Sequence, residues 1–126
     1  MKLLGIDYGE AKIGLAIADD TTKMAVPFKI FKEKDFDKQL DLIVRVVKDE
    51  SIDLIVIGLP MSLSQNETEQ TEHTKVFIDA LKARDIDLVT EDERLSSKAA
   101  QSLGIKEDDA VAAMQILQTY IDRRDN

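Results

Sequence analysis

The 126 residues carry 17 Lys and Arg against 25 Asp and Glu, a net charge of −8, with 44% apolar residues, one histidine and no cysteine. That length and apolar content fit a single domain, residues 1–126, with a core of its own, and the composition excludes disulfides, thiolate zinc sites, iron–sulfur clusters, cysteine nucleophiles and multi-histidine metal sites. The net acidity argues against binding polyanions through the overall field, so any nucleic-acid contact must be local.

In chain order, Lys2 to Asp7 and Lys12 to Asp19 alternate as strands and are joined by the turn Tyr8-Gly9-Glu10-Ala11, which predicts a hairpin. Met24 to Phe31 reads as a third strand, placed at an edge by Pro27, which cannot donate to a ladder. From Asp35 to Glu50 the apolar positions Phe36, Leu40, Ile43, Val44 and Val47 take helical spacing. Asp53 to Ile57 is a short strand, apolar from Leu54 onward, of the kind buried on both faces, and it stops at Gly58-Leu59-Pro60. A polar loop is expected over Met61 to Gln70, a helix over Glu72 to Arg84 and a strand over Ile86 to Val89, closed by the acidic run Glu91-Asp92-Glu93. A helix from about Ser96 to Leu103, capped by Gly104, and a last helix from about Glu107 to Asp122 complete the chain, with Arg123 and Arg124 favourable to the last helix's dipole.

The order β-β-β-α-β-α-β-α-α predicts an α/β fold in which a three-stranded antiparallel meander and two parallel strands form a mixed five-stranded sheet flanked by helices. It is the succession of a ribonuclease H-like architecture. No run approaches the roughly 18 apolar residues of a membrane span, and no apolar leader precedes Asp7, so a cytoplasmic protein without membrane contact is expected.

Three carboxylates fall where element ends can gather them: Asp7 closing the first strand, Glu93 after the fifth, and Asp109 in the first turn of the last helix. Open sheets carry their sites at the carboxyl ends of parallel strands. Gathered carboxylates repel one another unless a hard divalent cation sits among them, so Mg²⁺ or Mn²⁺ is the expected cofactor. Such a metal activates water and neutralises charge on a phosphodiester. The plainer alternative makes each acid local: Asp7 completing a turn, Glu93 solvated, Asp109 satisfying a helix N-terminus. Ala113, Ile116 and Tyr120 follow Asp109 along one helical face, which points to the core.

Gly5-Ile6-Asp7-Tyr8-Gly9, continuing through Lys12-Ile13-Gly14-Leu15-Ala16 to Asp19, resembles the opening motif of the YqgF/RuvX family of Holliday junction resolvase-like and pre-16S rRNA nucleases. Ile57-Gly58-Leu59-Pro60, Asp92-Glu93-Arg94-Leu95-Ser96-Ser97 and Asp109-Ala110-Val111-Ala112-Ala113 with Ile116-Leu117-Gln118 follow in the family's order, so the resemblance covers residues 2 to 122. It implies a ribonuclease H-like fold, a divalent-metal nuclease, and Asp7, Glu93 and Asp109 as both catalytic and metal-ligating acids. It also chooses Glu93 over its neighbour Asp92. Ribosomal RNA maturation is the implied role, with junction resolution by a twofold dimer, or a non-catalytic assembly module, as the alternatives. The expected partner is structured RNA, branched DNA or a ribosomal particle, met by a monomer or a homodimer.

Departures from the family pattern bear on substrate binding. Ala11 stands where a first basic residue is usual, leaving Lys12, and the stretch between Ser97 and Asp109 is short and keeps only Lys98 and Lys106. Gly9, Lys12, Arg94 and Lys98 are the candidate substrate contacts: Gly9 by a positive φ that exposes backbone amides, Arg94 by its fork of donors. His73 is expected as an exposed helix residue with no tie to the acids. Glu67, Glu69 and Glu72 are expected to form a solvated face. A two-lobed actin-like or sugar-kinase-like ATPase shares the Asp-x-Gly hairpin, but this chain has residues for one lobe only.

Overall fold

The computed structural model describes residues 1–59, 69–92 and 109–124. Five strands are present, β1 (Lys2–Tyr8), β2 (Lys12–Asp19), β3 (Val26–Lys32), β4 (Leu54–Leu59) and β5 (Leu88–Asp92). Three helices accompany them, α1 (Phe36–Asp49), α2 (Glu69–Lys82) and α3 (Asp109–Arg124). The sheet order is β3-β2-β1-β4-β5. β1 and β2 pair antiparallel, as do β2 and β3, while β4 runs parallel to both β1 and β5. The expected meander and crossovers are both there, and β3 is an edge, with Pro27 opposite Ala16 beside a bulge.

Alternation along β1 divides the core in two. Leu4, Ile6 and Tyr8 pack with Leu40, Ile43 and Val46 of α1 and Phe77, Ile78 and Leu81 of α2. Leu3, on the opposite face, packs with Ala16 and Ala18 of β2 and with Ala113, Ile116, Leu117 and Ile121 of α3. Ile55, Val56 and Ile57 of β4 are fully buried, as a strand covered on both faces must be. Asp35 caps α1, its carboxylate accepting from the Lys38 amide at 3.0 Å. Among the described residues, no helix is long and apolar enough to cross a membrane.

Several boundaries move. β3 starts at Val26 rather than Met24, because the Ala25 amide donates to Gln118 Oε1 of α3, at 2.9 Å, instead of joining the ladder. α2 begins at Glu69, earlier than the expected Glu72, and ends at Lys82, since Asp85 takes a positive φ of 60°. β5 runs from Leu88 to Asp92 rather than Ile86 to Val89. Its acidic end is tolerated because Glu91, nearly inaccessible to solvent, pairs with Arg123 at the far end of α3. The expected helix from Ser96 to Leu103 lies outside the described residues, as does most of the expected loop from Met61 to Gln70.

Candidate active site

Asp7 is the penultimate residue of β1 and, by the alternation that sends Leu3 towards α3, it lies on the α3 face. Its partner across the ladder is Gly14. The first residue of α3 sits directly on that glycine: a Cβ at Gly14 would overlap the Asp109 carbonyl group and come within 2.8 Å of the Ala110 nitrogen. Only a residue without a side chain admits the helix there. The chain therefore brings Asp7 and Asp109 to one end of one face of the sheet, with the apolar α3 cluster beneath them. Ala113 and Ile116 are fully buried and Tyr120 partly so, which is the inward helical face that the spacing from Asp109 predicts.

Glu93, Arg94 and Lys98 lie outside the described residues. Among those described, no cluster of three or more acids or histidines is placed to hold a metal. Glu91 shares the α3 face with Val89 but is committed to Arg123. Lys12 is exposed at the start of β2, two residues before Gly14 and of the same parity, so it too belongs to the α3 face.

The turn between β1 and β2 is held from below by α1 and α2. Gln39, 1% exposed, donates from Nε2 to the carbonyls of Glu10 at 3.0 Å and Glu33 at 2.6 Å, and its Oε1 accepts from the Tyr8 hydroxyl at 3.1 Å. Gln70 Nε2 donates to the Tyr8 carbonyl at 3.0 Å, and His73 pairs with the Glu10 carboxylate. Burial, and secondarily the Glu10 carboxylate, pushes the Tyr8 phenol above its ordinary pKa.

Two expectations change here. Gly9 does not adopt a positive φ; glycine is needed because a Cβ would come within 2.7 Å of the Lys12 carbonyl, so the constraint is space in a tight turn. His73 is half-buried and tied to the turn through Glu10, a partner 63 positions away that no local pattern announces. Arg123 and Arg124 do more than complement the dipole, pairing with Glu91 and, at 4.0 Å, with Asp20.

The family profile described as "RuvX: Holliday junction resolvase" matches residues 1–123. The chain belongs to the RuvX family. A relative from Endomicrobium trichonymphae is 35% identical over 133 residues, spanning 96% of this chain and 95% of that protein. One from Sulfurihydrogenibium sp. is 38% identical over 135 residues, spanning 97% of this chain and 90% of that protein. Both carry the name "Putative pre-16S rRNA nuclease". Among solved structures, Thermus thermophilus RuvC in complex with a Holliday junction substrate is similar with a TM-score of 0.63 at 14% identity, over 100% of this chain and 96% of that one. The Fowlpox virus resolvase in complex with Holliday junction DNA is similar with a TM-score of 0.62 at 11% identity, over 98% and 99%. At such identities the likeness concerns the fold, which is the ribonuclease H-like fold of the RuvC-type resolvases. The RuvX chain is thus a member of a nuclease family.

Proposed function

We propose that this RuvX chain is a divalent-metal-dependent nuclease that hydrolyses phosphodiester bonds in trimming the 5′ end of pre-16S rRNA, in the cytoplasm. The observation that supports the reading is that Gly14 is both the ladder partner of Asp7 and the seat of the Asp109 backbone, which sets the two acids at one end of the α3 face. Two carboxylates at one end of one face offer hard oxygen donors that suit Mg²⁺ or Mn²⁺. Glu93 is the proposed third ligand. The Asp92-Glu93-Arg94 run supports this choice, since Glu91, two residues earlier, is already taken by Arg123. When bound, the metal activates the attacking water and neutralises charge on the scissile phosphate. Asp7 and Asp109 would hold the metal and Lys12 would contact a phosphate, the braced Gly9 turn fixing Lys12 relative to Asp7. Arg94 and Lys98 are the remaining proposed substrate contacts. The rRNA assignment is supported by the names of the two relatives.

The test is cleavage of labelled single-stranded RNA, duplex RNA, a pre-16S 5′ fragment and a four-way DNA junction, with Mg²⁺ or Mn²⁺ and after chelation. Asp7→Asn and Asp109→Asn are each expected to lower cleavage by at least about 100-fold while the circular dichroism spectrum stays native. Unchanged cleavage in folded Asp7→Asn would sink the site. The family's own description favours a second reading, junction resolution, which needs paired sites in a twofold dimer and predicts preference for the four-way junction. A folded wild type that cleaves none of these substrates would instead point to a binding or assembly module.

A further inference from the structure

We infer that Lys32 is a second phosphate-binding cation, acting with Lys12 to seat the nucleic-acid backbone beside Asp7 and Asp109; the inference rests on the nuclease reading above and deepens it. Lys12 and Lys32 are direct partners across the β2–β3 ladder, and both are exposed. Direct partners on neighbouring strands share a face, so Lys32 lies with Lys12 on the α3 side, two register positions beyond the pair that Gly14, the seat of Asp109, forms with Ile30.

Like charges placed directly opposite destabilise a sheet. This protein has eight more acids than bases with which to neutralise such a pair, yet the acids nearest in sequence are engaged elsewhere. Glu10 pairs with His73. Glu33 accepts from the amides of Lys34 and Asp35 at 3.1 and 3.2 Å. Asp35 caps α1 through the Lys38 amide. Among the described residues, neither Lys12 nor Lys32 has an ion-pair partner. Two adjacent cations without an ion-pair partner among the described residues, on the same face as Asp7 and Asp109, match a ligand that brings negative charge to a carboxylate centre suited to a metal. A phosphodiester backbone, with charges repeating along its length, can meet both lysines and the metal site together.

The experiment measures anisotropy of a fluorescein-labelled duplex RNA against salt, in an Asp7→Asn background so that the probe is not consumed. Lys32→Gln keeps most of the apolar stem and removes the charge. It is expected to lower the slope of log affinity against log salt by about 0.7–0.9, as Lys12→Gln does, with the double variant losing about twice that. Lys48→Gln, at the far end of α1, removes the same charge and should leave the slope unchanged. Removing the repulsion should also leave the melting temperature of Lys32→Gln at low salt equal to or above its parent, whereas a structural lysine would lower it. An unchanged slope in Lys32→Gln, or no RNA binding at low salt by the parent, overturns the inference. If wild type cleaves RNA while that slope is unchanged, the nuclease reading stands without Lys32. If the slope falls but wild type cleaves nothing, the cation pair stands and the catalytic reading fails.

Discussion

Gln39 shows what one buried polar side chain can organise. Its amide has three partners, the Glu10 and Glu33 carbonyls and the Tyr8 hydroxyl, and through them α1 grips the turn that separates Asp7 from Lys12. Nothing in the sequence marks it. The helical period picks out Phe36, Leu40, Ile43, Val44 and Val47 and leaves Gln39 as one more polar residue, because its partners are backbone groups of distant turns. Asp7 and Asp109 were legible for the opposite reason: an acid closing an apolar strand and an acid opening a helix are positions that local pattern defines. Replacing Gln39 with Leu strands two carbonyls and a hydroxyl in a buried place, which is expected to cost about 1–3 kcal/mol each time a group finds no water. Urea denaturation would measure this, and a loss under about 0.5 kcal/mol would show that solvent already reaches the turn.

At the scale of elements, α3 depends on the small residues of β1 and β2 for its seat. Gly14 lets the Asp109 backbone touch β2, while Ala16 and Ala18 keep the same face shallow along the helix. The glycine stands in the opening motif, but its reason is the helix that arrives 95 residues later, so the motif could be read without the contact. β5 makes the same point about boundaries. Glu91 and Asp92 look like a strand terminator by propensity, and the pairing of Glu91 with Arg123 across 32 positions overrides that signal. Gly14→Ala should therefore be felt twice: a stability loss of about 1–3 kcal/mol or more from overpacking against backbone, and a fall in cleavage as Asp109 is pushed from Asp7. Wild-type stability and activity in this variant would contradict the described seat of α3.

For the molecule as a whole, the net charge of −8 and the local cation pair make opposite demands on salt. Self-repulsion among the excess carboxylates weakens the compact state, and added salt screens it. Contacts between lysines and phosphates work the other way, because binding releases counterions and added salt opposes it. The overall acidity was plain from composition, but the place where it is locally reversed was not, since Lys12 and Lys32 become neighbours only through the β2–β3 register and its bulge. Raising NaCl from about 50 to about 500 mM is accordingly expected to raise the melting temperature while weakening RNA binding by at least about tenfold, as two or more phosphate contacts require. Calorimetry and anisotropy on the same samples would test the pair of signs. Binding that held steady or strengthened with salt would mean that the RNA is held by stacking or by uncharged groups, and the electrostatic account of the substrate face would have to be given up.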